Sequence, residues 1–76
     1  MDWRDRIGAD PAIMVGKPVI KGARITVEFI IQALGNGWSF TDILKEYPHI
    51  VEDDIRACLQ YAHDLIKNLR GLTSLA

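Results

Sequence analysis

Three cations in one short segment are the residues of this chain with the clearest capacity for chemistry. Lys17, Lys21 and Arg24 alternate with apolar residues in the stretch Gly-Lys-Pro-Val-Ile-Lys-Gly-Ala-Arg-Ile-Thr-Val, which covers positions 16–27. Lysine and arginine bind the phosphates of nucleic acids, and such contacts supply much of the affinity for DNA. The same cations can instead face water or carboxylates, and the sequence leaves both alternatives open.

Residue types that serve as catalysts or metal ligands are present but are not grouped. His49 and His63 are 14 positions apart, whereas a metal site needs three or four converging ligands. Cys58 lies on an apolar helical stripe, where a cysteine usually packs as a small hydrophobic residue. Asp53 and Asp54 are adjacent and therefore point about 100° apart on a helix. We expect no enzyme activity, no bound metal and no cofactor.

Length and charge limit the function further. The chain has 76 residues, of which 49% are hydrophobic, and a formal net charge of −1. One domain of this size has a core that is only just sufficient, and a single cysteine allows no intrachain disulfide. We therefore expect support from self-association, as a homodimer. The slightly negative charge argues against strong non-specific binding to nucleic acid.

The start of the chain and its hydropathy bear on localisation. The first six residues, Met-Asp-Trp-Arg-Asp-Arg, are charged and lack the apolar run of a signal peptide. No apolar stretch approaches the roughly 20 residues that span a bilayer. The sequence therefore predicts a cytoplasmic protein without a membrane contact.

Apolar spacing predicts three helices after the cationic segment. The pattern i, i+3, i+4, i+7 is typical of one helix face. It occurs in the sets Val27, Ile30, Ile31 and Leu34, and Phe40, Ile43, Leu44 and Tyr47. A third helix is predicted from about residue 52 to 70, with one apolar side formed by Ile55, Cys58, Leu59, Ala62, Leu65, Ile66 and Leu69. Thr26 and the pair Ser39 and Asp42 are the predicted caps of the first two helices.

The segment before the helices predicts a short β-arm or hairpin at about residues 13–25. Branched apolar residues between glycines are typical of such a ribbon, which needs a partner surface for stability. An unpaired strand edge can pair with a second chain. The predicted dimer interface consists of Val15, Val19, Ile20 and Ile25.

The third helix also carries a basic stripe, formed by Arg56, Gln60, His63, Lys67 and Arg70. This stripe is either a nucleic-acid contact or a solvated face whose cations lie near a helix C-terminus. A short helix, a tight connection and a longer helix form the outline of a helix-turn-helix, which places its second helix in the major groove. Glu52, Asp53 and Asp54 crowd the start of that helix and would repel phosphates. The predicted nucleic-acid contacts are Lys17, Lys21, Arg24, Arg56, Lys67 and Arg70.

The order of these motifs resembles the domain-of-unknown-function 433 family, from about residue 7 to 69. The Gly-Lys-Pro-Val and Lys-Gly-x-Arg-Ile elements are specific in combination. The remaining matches are Gly37-Trp38-Ser39, Ile43-Leu44, Tyr47-Pro48, Asp54-Ile55 and Tyr61-Ala62. The resemblance implies a single domain over residues 1–76, with an arm at about 7–25 and a helix-turn-helix-like core at about 26–70. It also implies an antitoxin that is paired with a PIN-like ribonuclease toxin.

The sequence departs from the family pattern at three positions. Ala23 stands where threonine is usual, and Thr26 where proline is usual. Val51 stands where serine or threonine would cap the third helix. Either the cap is lost, which costs about 1 kcal/mol of stability, or the helix starts elsewhere and Glu52 and Asp53 interact favourably with its dipole.

Two functions therefore remain as expectations. The first is a DNA-binding antitoxin that binds operator DNA as a homodimer and neutralises a PIN-like ribonuclease. The second is a non-catalytic protein-interaction module that binds no nucleic acid.

Overall fold

Three helices follow a two-stranded antiparallel sheet, as the mainly α fold class predicts. The computed structural model describes residues 1–9, 11–12 and 14–69, with only the backbone at position 14. The strands are β1 (Ile7–Gly8) and β2 (Val19–Ile20), and the helices are α1 (Val27–Gly35), α2 (Phe40–Glu46) and α3 (Glu52–Asn68). Two 3-10 turns, Trp3–Asp5 and Met14–Gly16, precede β1 and β2 respectively. The predicted contact of Arg70 and the tail beyond it lie outside the described residues.

The sheet is built differently from the predicted arm. β1 pairs with β2 so that Ile7 lies opposite Ile20, and the pairing strand therefore lies upstream of the predicted segment. On the other side of β2, the Ile20 amide donates to the carbonyl of Ile25 at 2.8 Å, and Val19 forms a bridge with Thr26. Both edges of β2 are therefore occupied within one chain. Position 13, the predicted start of the arm, lies outside the described residues.

This pairing places three of the four residues of the predicted dimer interface inside the chain, and the interface itself stays a prediction. Val19, Ile20 and Ile25 belong to the buried core, with Ile20 only 1% exposed. Their side chains are used for packing within the chain and are not available to a second copy in this fold. Val15, in contrast, is 92% exposed. The alternation of apolar and charged residues correctly indicated a strand, but it could not tell which surface the strand covers.

The predicted caps of α1 and α2 are present. Thr26 Oγ1 accepts a hydrogen bond from the Phe29 amide at 3.0 Å. Ser39 Oγ accepts from the Asp42 amide at 3.0 Å, while Asp42 Oδ2 accepts from the Ser39 amide at 2.9 Å. These bonds satisfy amides that a helix start leaves without intrahelical partners. Hydrogen bonds to the amide and hydroxyl of Ser39 hold the pKa of the Asp42 carboxyl below its usual value.

The start of α3 retains one of the two hydrogen bonds of a capping box. Val51 is the N-cap residue and has no side-chain acceptor. Asp54 Oδ2 still accepts from the Val51 amide at 2.9 Å, as the third residue of a capping box does. The helix therefore begins at Glu52 without a hydroxyl cap, which agrees with the absence of serine or threonine at position 51.

The core lies where the three helices meet. Ile30 of α1, Ile43 of α2 and Ile55 of α3 are fully buried, and Ala57 and Cys58 of α3 join them. Each burial of a large aliphatic side chain contributes about 1.5–3 kcal/mol. The fully buried positions of α3 all lie in its first half, so the core is formed around the beginning of this helix.

The beginning of the chain packs on α3. Trp3 Nε1 donates to Asp64 Oδ2 at 2.7 Å, and the Trp3 ring meets the Tyr61 ring edge-on at a centroid distance of 5.0 Å. Arg6 Nη1 donates to Asp54 Oδ1 at 3.0 Å, and its second nitrogen lies 3.8 Å from Asp53. Residues that are some 50–60 positions apart thus hold the N-terminal turn against the helix. Within the described part of the chain, no helix is long and apolar enough to cross a membrane.

Candidate protein-interaction face

Two of the three predicted phosphate-binding cations of the N-terminal segment, Lys17 and Lys21, have partners within the chain. Lys17 Nζ lies 3.3 Å from Glu28 Oε1 in the first turn of α1. Lys21 Nζ donates to the carbonyl oxygen of Arg4 at 3.0 Å. These two lysines thus contact two different elements, and Lys17 is neutralised locally by a carboxylate.

The first cation of the predicted basic stripe, Arg56, is also paired with carboxylates of the chain. Arg56 pairs with Glu52, one helical turn earlier, and lies 3.6 Å from Asp53. Such pairs between exposed side chains contribute only about 0.3–0.5 kcal/mol, but they lower the local positive potential. Lys67, in the last turn of α3, makes no ion pair with any residue that the structure describes.

Arg24 is the cation whose backbone is unusual. Its φ of 56° lies in the left-handed region, which costs a residue with a side chain about 1–2 kcal/mol. The side chain is exposed and has no hydrogen-bonded partner among the described residues. It borders a small cavity of about 330 Å³ with Phe29 and Tyr47, whose rings meet edge-on at 5.5 Å.

The second half of α3 exposes an apolar surface that sequence reasoning assigned to the core. Leu59, Leu65, Ile66 and Leu69 are 41%, 50%, 60% and 45% exposed. At 100° per residue these four side chains and Ala62 fall within an arc of about 120°. We call this surface the α3 face and define it as Leu59, Ala62, Leu65, Ile66 and Leu69. An arc of this width is typical of a helix that packs against a core.

A groove runs along one side of the α3 face. It encloses about 590 Å³ between α1 and α3, and its apolar walls include Val27, Ile31, Tyr61, Ala62 and Leu65. Ala62 and Leu65 therefore form the groove side of the face, and Leu59 and Ile66 form its outer side. Leu69 follows at the C-cap of α3, at a helical angle between those of Ala62 and Leu65. The paired charges of Lys17 and Glu28 lie on the rim of the groove.

The chemistry of this surface is that of a docking site. Exposed apolar patches on small domains mark contacts with proteins or other apolar surfaces. The spacing of leucines in the sequence identified the stripe correctly but assigned all of it to the internal core. Residue spacing alone does not show which part of the stripe the rest of the chain covers.

The structure gives the surroundings of two residues that could serve in catalysis, Cys58 and Asp64. Cys58 is buried, and burial together with the nearby Asp54 raises the pKa of its thiol to about 12. The Trp3 indole N–H and then His63 hold the pKa of the Asp64 carboxyl below its usual value. No cluster of three metal-binding side chains occurs in the part of the chain that the structure describes.

Comparisons with known proteins agree with the architecture. Residues 7–62 match the family described as Protein of unknown function (DUF433). The fold is similar to that in the crystal structure of a DUF433 member protein from Anabaena variabilis ATCC 29413, with a TM-score of 0.78 and 20% sequence identity. The alignment covers 93% of this chain and 70% of that chain. No curated protein matches this chain.

Proposed function

Because the chain belongs to the DUF433 family, whose function is unknown, we propose a function from its own surface: a non-catalytic protein-interaction module that serves as an antitoxin. The observation that carries this proposal is the α3 face. Four large aliphatic side chains, each about half exposed, follow one another along a single helix. A second protein that covers them gains a large part of its binding free energy from apolar burial.

The resemblance of the motifs supplies the proposed partner, a PIN-like ribonuclease. We expect such a partner to be rich in acidic residues. Lys67 lies beside the outer edge of the α3 face, about 80° around the helix from Leu59. Lys67 has no described carboxylate partner that would compete. We assign the nuclease contact to Leu59, Ile66 and Lys67, so that apolar burial gives affinity and the lysine gives charge complementarity.

The test is co-expression of this chain with a PIN-like ribonuclease, taken from the adjoining gene where that gene encodes one. The parent chain should co-purify with the nuclease and suppress its ribonuclease activity. The variant Ile66→Asp should lose both effects, because it places a charge in the apolar contact. Val15→Asp is the matched control, since Val15 is an exposed aliphatic residue that lies outside the α3 face. Full inhibition by Ile66→Asp would refute the assigned contact, and failure of the parent to inhibit would refute the antitoxin proposal.

DNA binding is a second candidate function, and Arg24 is the observation that favours it. This exposed arginine without a described partner is held in a strained backbone conformation, and such strain often marks a functional position. The neutralised Lys17 and Arg56 and the acidic start of α3 oppose a broad phosphate contact.

A gel-shift titration with promoter DNA tests this second candidate. If Arg24 binds phosphate, Arg24→Gln should weaken binding to all sequences and reduce the salt dependence by about one counterion. The double variant Lys17→Ala with Lys21→Ala should have a smaller effect, because both lysines already have partners in the chain. An unchanged salt slope for Arg24→Gln would exclude the assigned contact.

A further inference from the structure

The groove side of the α3 face has the residue pattern of a helix that pairs with a copy of itself. Ile55, Cys58, Ala62, Leu65 and Leu69 are spaced by three and four residues alternately, which is a heptad pattern with these residues at positions a and d. Ile55 and Cys58 are buried inside the domain, whereas Leu65 and Leu69 are about half exposed. The seam therefore begins in the core and continues onto the surface.

The charge pattern indicates what kind of partner fits this seam. In the same register, the e and g positions from residue 59 onward are Leu59, Tyr61, Ile66 and Asn68, and none of these four is charged. The remaining g position, Asp54, lies at the start of the seam and is paired with Arg6 of the same chain. Helices that select a different partner commonly use opposite charges at e and g. Two identical copies can approach along a neutral flank without like-charge repulsion. The uncharged flanks thus favour a second copy over a strongly charged partner.

Size complementarity indicates the same occupant. The face carries one small residue, Ala62, between large ones, and it lies at the wall of the groove beside Leu65. In an antiparallel pair with a two-fold axis between residues 63 and 64, Ala62 of one copy lies opposite Leu65 of the other. The symmetry repeats this small-to-large contact, as a two-fold interface requires. Alternation of large and small residues lets facing side chains interdigitate.

We propose that this chain forms a two-fold homodimer in which the second half of α3 from each copy lies in the groove between α1 and α3 of the other. The contact surrounds the axis with α1 and α3 from both copies and extends the small core of each. It replaces the strand-mediated dimer that the sequence predicted, since Val19, Ile20 and Ile25 are already buried within one chain. The inference rests on the proposed role of the α3 face as a protein-binding surface.

Sedimentation velocity across a micromolar concentration series tests the dimer. The parent should shift from monomer to dimer with rising concentration, and Leu65→Asp should remain a folded monomer. Val15→Asp should dimerise like the parent, because Val15 is exposed but lies in the N-terminal segment. A parent that stays monomeric throughout overturns the proposal, as does a dimer that Val15→Asp abolishes and Leu65→Asp preserves.

A size swap tests the register. Leu65→Ala and Ala62→Leu should each weaken dimerisation by about tenfold or more, through a lost contact and a clash respectively. The double variant exchanges the two sizes and should restore most of the affinity. Circular dichroism of each variant checks that the monomer remains folded. If the double variant is weaker than both single variants, Ala62 and Leu65 do not face each other and the proposed register is refuted.

The outcome for the dimer is separable from that for the antitoxin. Nuclease inhibition by a chain that sediments only as a monomer would refute the dimer and leave the antitoxin proposal intact. A dimer that does not inhibit the nuclease would refute the antitoxin proposal and leave the dimer intact. A dimer that dissociates when the nuclease is added would assign the groove side to the nuclease as well, and would overturn a stable homodimer within the complex.

Discussion

The substitution Val51→Thr supplies the hydroxyl cap that α3 lacks. Val51 has the extended backbone of an N-cap residue, with φ −123° and ψ 168°, and its amide already donates to Asp54. Thr26 has a similar conformation, φ −76° and ψ 151°, and caps α1 through its hydroxyl. Threonine has nearly the shape of valine, so the change exchanges one methyl for an acceptor without altering the packing volume.

The expected gain in stability is small but measurable. A new cap contributes about 1 kcal/mol. Val51 is 53% exposed, so loss of a half-covered methyl costs about 0.4 kcal/mol from a transfer free energy of about 0.8 kcal/mol per methylene. The free energy of unfolding should therefore rise by about 0.6 kcal/mol. For a domain of this size, that corresponds to an increase in Tm of about 2–5 °C.

Thermal unfolding followed by circular dichroism at a fixed protein concentration measures this change, since association makes Tm depend on concentration. Thr26→Val is the reciprocal control, because it removes the hydroxyl that accepts from the Phe29 amide. It should lower the free energy of unfolding by about 1 kcal/mol. If Thr26→Val lowers Tm while Val51→Thr leaves it unchanged or lowers it, the bond from Val51 to Asp54 is already sufficient and the reasoning is refuted.

Three further predictions concern single positions. Because the pKa of Asp64 is lowered in the folded chain, its contribution to the free energy of unfolding is complete above the unfolded pKa of about 3.9 and is lost as the pH falls through the folded value. In acid titrations followed by circular dichroism, Asp64→Asn should therefore show a weaker dependence of stability on pH. An unchanged dependence would contradict this. Gly22→Ala should lower the free energy of unfolding, measured by urea denaturation, by about 1 kcal/mol, because the φ of Gly22 is +78°. Gly35→Ala, at the open end of α1, should raise it by a few tenths up to about 1 kcal/mol. Equal effects at both glycines would contradict the conformational argument. The Cys58 thiol should resist alkylation at pH 8 in the native chain and react after unfolding, because it is buried and its pKa is raised to about 12. Rapid alkylation of Cys58 in the native chain would show that the core opens around this residue.

Local features of the fold could be predicted from the sequence. The caps at Thr26 and Ser39 depend on residues within three positions of each other, and the three helices follow from apolar spacing over a few turns. The missing hydroxyl at Val51 was visible for the same reason. Each of these features is decided by neighbouring residues, so no knowledge of tertiary contacts is needed.

Contacts between distant segments could not be predicted in the same way. The Trp3 indole meets Asp64 across 61 positions, and no periodicity connects these two residues. The burial of Ile20 depends on the distant core residues that pack on its side chain, and its strand is held in place by pairing with β1 and with Ile25. The exposure of Leu65 depends on how far the rest of the chain extends along α3. The sequence shows which residues are apolar, but the surface that covers each one depends on the assembled fold.

The docking of Trp3 on α3 also affects when the N-terminal segment can fold during synthesis. Residues synthesised first must wait for Tyr61 and Asp64 before their packing surface exists. Until then Trp3, Ile7 and the paired strand have no complete core on which to fold. The N-terminal segment therefore remains open to other contacts during translation, and it closes only after most of the described chain has been synthesised.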